Sequence, residues 1–133
     1  MGYFLSYYTG AYGLTLRFEI RGFESLVKFK DSLILLRERK EKSISIQPIK
    51  DEKYNVISLL LKLSEEHLVS VRQDSQNYIL EWEENETAWH HIEGLVEGLL
   101  DNFAINVSQY YETEDIVIEI AICEADTVEV SAR

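Results

Sequence analysis

Trp89, Ile92, Leu95, Val96, Leu99, Leu100 and Phe103 recur at steps of three and four residues. This is the period of one helix face, and a helix so one-sided needs a second layer to cover it. The spacing predicts a helix over Glu86–Asp101, with Asn85 or Thr87 as its N-cap. Glu83, Glu84 and Glu86 cluster around the positive end of its dipole. Strands supply the covering layer. Residues 14–21 alternate, with Leu14, Leu16, Phe18 and Ile20 inward and Thr15, Arg17, Glu19 and Arg21 outward. Gly22 ends that strand, and Phe23, Leu26, Val27, Leu33 and Ile34 then follow helical spacing over about 23–39. Phe29, Leu35 and Leu36 widen its apolar side, which leaves part of the segment open to an extended conformation.

Further strand-like runs cover 43–49, 54–63, 68–73, 78–83, 104–111 and 116–123. The run 54–63 is rich in leucine, and periodicity alone leaves it strand or helix. The turns Ser64-Glu65-Glu66-His67 and Asp74-Ser75-Gln76-Asn77 favour a meander. Residues 3–8 read as a short strand or an irregular segment. The expected fold is α+β, an antiparallel sheet with two packed helices in the order β-α-β-β-β-β-α-β-β. The 133 residues suit one domain, spanning 1–133, with one core. No internal repeat is visible.

Charge is divided unequally along the chain. Residues 1–72 carry 12 Lys and Arg against 9 Asp and Glu, whereas residues 73–133 carry 15 acids against Arg133 alone. An uneven surface of this kind suits a cationic partner. Nucleic acid is excluded as an expected partner, because phosphates need clustered cations, and an anionic membrane surface is excluded for the same reason. The one basic cluster, Arg37, Arg39, Lys40 and Lys42, reads as the solvated end of the first helix. The acid concentrates on a helix stripe (Glu86, Glu93, Glu97, Asp101) and in the segments 81–86 and 112–115. The candidate partner-binding residues are Glu83, Glu84, Glu86, His90, Glu93, Glu97, Asp101, Tyr111, Glu112, Glu114 and Asp115. Against this stands the reading that these are solvated faces of an acidic protein.

Little in the chain points to chemistry. Cys123 is the single cysteine, which excludes an internal disulfide or a cysteine-rich zinc site. There is no phosphate-binding loop, no nucleophile elbow and no H-E-x-x-H. His90 and His91 invite a metal reading beside Glu86 and Glu93, but adjacent residues on a helix point about 100° apart. No catalytic residue, metal or cofactor is expected. Gly94 and Gly98 suggest close packing of the helix on the sheet. Trp82, Trp89, Tyr110 and Tyr111 lie among the acids, where aromatics can anchor arginines, although Trp89 reads as core. With no apolar run long enough to span a membrane and no basic leader at the N-terminus, the cytoplasm is the expected compartment.

The segment Asn106-Val107-Ser108-Gln109-Tyr110-Tyr111-Glu112 follows an amphipathic helix and precedes Ile116-Val117-Ile118-Glu119-Ile120. This ending, in a small, acidic, cysteine-poor chain, resembles the immunity proteins of bacterial toxin systems, including contact-dependent growth inhibition. The resemblance covers about the last 45 residues. It implies a non-enzymatic cytoplasmic inhibitor that binds a cognate toxin domain, often a basic nuclease, and blocks its active site. The alternatives are a scaffold or interaction domain, such as a homodimer through the aromatic N-terminal segment, and a small metal-assisted hydrolase.

Overall fold

The computed structural model describes residues 2–11, 13–47, 49–51, 55–101, 108–113 and 116–123. They form β1 (Gly2–Gly10), β2 (Gly13–Arg21), α1 (Phe23–Arg37), β3 (Ser43–Ile46), β4 (Ile49–Lys50), β5 (Val56–Leu63), β6 (Leu68–Asp74), β7 (Asn77–Glu84), α2 (Glu86–Asp101), β8 (Ser108–Glu112) and β9 (Val117–Cys123). No helix among them is long and apolar enough to cross a membrane.

Local chemistry accounts for most of these elements. In β2, Leu16, Phe18 and Ile20 are buried and Arg17, Glu19 and Arg21 lie on the other face. Leu14 departs from its expected inward place and is exposed at the hairpin end. Gly22 joins β2 to α1 at φ 96°, a left-handed conformation that a side chain would strain. α1 is helical throughout and buries Leu26, Phe29, Leu33 and Leu36, while Phe23 is exposed. Phe29 and Leu36, which sequence spacing placed at the margin of the apolar side, are therefore at its centre. α2 begins at Asn85, whose Oδ1 accepts the Ala88 N–H at 2.8 Å, a side-chain cap. The leucine-rich run is strand, β5.

The α+β class and the two helices agree with the sequence reading. The antiparallel sheet does not appear as one meander, because the strands divide into two mixed sheets. Sheet A runs β4-β1-β2-β9-β8, and sheet B runs β3-β5-β7-β6. β1–β4, β2–β9 and β5–β7 are parallel. In the middle of β5, Leu59 and Leu61 point into the core and are buried, while Leu60, on the other face, is partly exposed.

The topology also contains a repeat that the sequence hides. Hairpin β1–β2, helix α1 and strands β3 and β5 follow the same order as hairpin β6–β7, helix α2 and strands β8 and β9. Each half gives its first hairpin to one sheet and its last two strands to the other. The registers coincide: Leu5 pairs with Phe18 and Val69 with Trp82, a shift of 64 in both members. Leu26, Phe29, Leu33 and Leu36 of α1 become Trp89, Ile92, Val96 and Leu99 of α2 at a shift of 63. What repeats is burial pattern and pairing rather than residue identity. Both sheets and both helices contribute to one core, in which Phe18 and Phe29 lie 5.1 Å apart in one half and Trp82 and Trp89 4.9 Å apart in the other.

Candidate functional site

The charge asymmetry of the sequence is cancelled in part by ion pairs between the two halves. Cations of residues 1–72 pair with acids of residues 73–133: Arg17 with Glu119 at 2.8 Å, Arg37 with Glu93 at 2.5 Å, Arg39 with Glu86 at 2.7 Å, and Lys62 and Arg72 with Glu81 at 3.3 and 2.9 Å. The basic end of α1 is thus a partner for α2 rather than a purely solvated cap. The stripe on α2 is correspondingly divided. Glu93 is buried against Arg37 and Glu86 is held by Arg39, while Glu97 and Asp101 remain exposed.

One position in the second half breaks the pattern of the first. The shift of 64 carries Ile20, a core residue of β2, onto Glu84 of β7, and Tyr3 onto His67. The corresponding pairs Ile46–Leu59 and Tyr111–Ile118 place Tyr111 where the first half has Ile46. A hydrophobic layer in one half is a polar cluster in the other. Glu84 is 1% exposed, so its charge needs several donors. It accepts from Trp82 Nε1 at 2.8 Å, from the Tyr111 phenol, and lies 2.5 Å from His67 Nδ1. Burial, then the charge of Glu84 and the hydrogen bond to it, pushes the Tyr111 phenol above its ordinary pKa. Because the fold accommodates Tyr3, Ile20 and Ile46 at the equivalent places, it does not require this cluster.

The cluster opens onto a corner of the surface. The Tyr111 ring lies 6.0 Å from that of His67 and 5.9 Å from that of His91. His90, His91, Thr87, Gly94 and Leu95 line an adjoining shallow groove. Gly94 faces open space and so does not serve the close packing expected of it; Gly98 lies near Gln109. Glu65 and Glu66 precede His67, and Glu112 follows Tyr111, all three exposed. Among the described residues, Glu65, Glu66, Glu97, Asp101 and Glu112 are in no ion pair.

The structure therefore brings together part of the predicted set. His90, Tyr111 and Glu112 lie at this corner, and Glu97 and Asp101 continue the exposed line of α2 beyond it. Glu84 lies beneath the corner as its buried anchor. Glu83 is on the opposite face of β7, 4.0 Å from Lys62. Glu114 and Asp115 are outside the described residues. Sequence reasoning left His67 out of the candidate set, since a turn histidine carries no signal until the repeat aligns it with a buried Tyr3, and weighed His91 only as a metal ligand. Trp82 and Trp89 are both core, and Trp89 donates to the Lys62 carbonyl at 3.0 Å. The aromatic N-terminal segment is engaged internally, with Tyr3 stacked on Phe18 at 5.5 Å. No group of three or more His, Cys, Asp or Glu among the described residues could hold a metal ion.

The outer face of sheet A holds another buried carboxylate, Glu119. It is bonded by Tyr8 at 2.7 Å and Arg17 at 2.8 Å, with Tyr110 at 3.3 Å. Burial pushes this carboxyl up, but the Tyr8 and Ser108 hydrogen bonds and the Arg17 charge outweigh it and hold it below its usual range. The same bond, burial and the Glu119 charge push Tyr8 up to about 12. A carboxyl held low stabilises the fold above its ordinary pKa, and this is lost as pH falls through the folded value. A phenol held high stabilises below about pH 10, and this is lost as pH rises through about 12. An alkaline titration followed by phenolate absorbance should show a late-ionising component, reduced in Tyr8→Phe. Titration of Tyr8 with the ordinary tyrosines would contradict the Glu119 contact.

No family model matches the chain, and neither a curated protein nor a solved structure matches it.

Proposed function

We propose that the protein is a non-catalytic inhibitor that acts in the cytoplasm by docking on a basic partner, a toxin domain of nuclease type. The observation that carries this reading is the corner formed by α2, β8 and the β5–β6 turn. Five exposed carboxylates without ion pairs surround or extend a contact of two imidazoles and a phenol. A buried carboxylate holds that contact in place. Carboxylates already tied to Arg17, Arg37, Arg39 and Arg72 form structure; those at the corner remain available to an incoming cation. A nuclease gathers cations around its active site to hold phosphates, and an acidic corner competes for them with electrostatically accelerated association. The partly buried Tyr111 ring and the exposed His67 and His91 rings beside it supply flat surfaces for arginine stacking.

The test is co-expression with the protein encoded directly upstream of this chain's gene, scored for toxicity of that protein alone and together with this chain. Cells making both proteins are expected to grow where cells making the toxin domain alone do not. The purified complex is expected to associate more slowly as salt rises. Equal toxicity with and without this chain, and no complex at low salt, would remove the inhibitor reading.

A further inference from the structure

The repeat exposes a vacancy at one sheet edge. In the first half the start of the outer edge of β1 is covered: Ile49 and Lys50 of β4 pair in parallel with Tyr3 and Phe4, while Leu5–Gly10 have no described partner on that side. β6 holds the place of β1 in the second half, where the shift of 64 sets His67 in the position of Tyr3 and Leu68 in that of Phe4. No described strand pairs with the far edge of β6. Residues 70–74 are exposed there, and Val71 keeps 58% of its surface in solvent. β4 arises from the connection between β3 and β5. The equivalent connection between β8 and β9 holds only residues 113–116, with the Thr113 N–H donating to the Ile116 carbonyl at 3.0 Å, and it has no length for a strand.

We propose that this edge takes an extended cationic segment of the partner as an added strand, parallel to β6 and in the register that β4 holds on β1. Strand addition satisfies the open backbone groups of an edge, while alternate side chains give specificity. The first half supplies the template. Ile49 sits beside Tyr3, so an apolar residue of the partner sits beside His67. Lys50 sits beside Phe4 and is exposed, so the partner residue beside Leu68 faces solvent, where a lysine or arginine keeps its hydration. Charge selects the same occupant. Glu65 and Glu66 stand before the strand and Asp74 at its end, all exposed, while Arg72 is tied to Glu81 at 2.9 Å. A second copy fits poorly. Antiparallel self-pairing about Val71 sets each Leu68 against Asp74 of the other chain, and so brings Glu66 towards Asp74 between chains of net charge −11. The edge is continuous with the corner described above, since His67 belongs to both.

This inference rests on the cationic-partner reading, but its test needs no toxin. The probe is the blocked peptide Ile-Lys-Ile-Lys-Ile-Lys added to the isotope-labelled protein, with amide exchange read by NMR. Protection is expected at alternate amides across residues 67–74. Binding is expected to weaken about tenfold in the Glu65→Lys, Glu66→Lys double variant, and to vanish for a peptide N-methylated at alternate amides, whose charge is unchanged. Protection confined to other elements, or β6 protection that grows with protein concentration without peptide, would overturn the proposal. Undiminished binding of the N-methylated peptide would discard strand addition while leaving electrostatic docking intact.

Discussion

Glu84→Ala is expected to destabilise the protein by about 3 kcal/mol, or about 10 °C in Tm for a chain of this size. The carboxylate is the acceptor for Trp82 Nε1, a buried donor, and for the Tyr111 phenol. Removing it leaves both without a partner in the interior, at about 1–3 kcal/mol for each unsatisfied group. His67 is partly exposed and can turn to water, so its loss adds little. The repeat supplies the control. A variant that copies the first half, His67→Tyr, Trp82→Phe, Glu84→Ile and Tyr111→Ile, removes donors and acceptor together. It should melt at or above the temperature of the natural chain, because apolar replacement of a buried polar cluster is often neutral or stabilising. Thermal melts of both variants decide the matter: a Glu84→Ala melt matching the natural protein would show that the cluster bears no structural load. If the cluster serves partner binding, the copied variant keeps the fold and loses the complex.

Reversing Glu97, Asp101 and Glu112 to lysine changes the net charge from −11 to −5 and is expected to slow association with a basic toxin domain tenfold or more, roughly, at low salt. All three carboxylates are exposed and outside any described ion pair, so the fold loses no contact on their account. The rate difference should shrink as salt rises, because surface charges are screened over about 10 Å at 0.1 M ionic strength. Stopped-flow measurement across a salt series separates this from general damage, which would change the melt as well. Reversal of Glu86 is a poor substitute, since it also breaks the bond to Arg39. An association rate unchanged by the triple reversal would move the interface away from this corner.

Element positions were legible in the sequence wherever one face of a segment met the core. α2 was bounded by its own apolar steps and the Asn85 cap, and β2 by alternation up to Leu14, where the hairpin leaves the core. The division into two sheets was not legible. The pairing of Phe18 with Ile120 and of Leu61 with Trp82 joins segments whose local patterns are equally compatible with hairpin neighbours. The repeat escaped because Leu16, Phe18 and Ile20 become Leu80, Trp82 and Glu84, a sequence change that keeps direction and register but not polarity. The charge pattern gave the sign of the excess and the identity of α2. It could not say that Arg37 and Arg39 would neutralise Glu93 and Glu86, because these pairs cross between helices.

The exchange of strands between halves also orders the acquisition of the fold. Residues 43–84 contain all of sheet B, whose partners lie close together in the chain. The centre of sheet A needs β2 to meet β9, with Phe18 and Ile120 roughly 100 residues apart. Pairings at such separation form slowly, since the chain entropy of closure is lost before the contacts compensate it. Until β9 arrives, one edge of β2 stays open and Leu16, Phe18 and Ile20 lack the Ile118, Ile120 and Ile122 layer. The last strand therefore governs the rate at which the whole molecule closes, and on the inhibitor reading proposed above that rate sets how early in its own lifetime the protein can act.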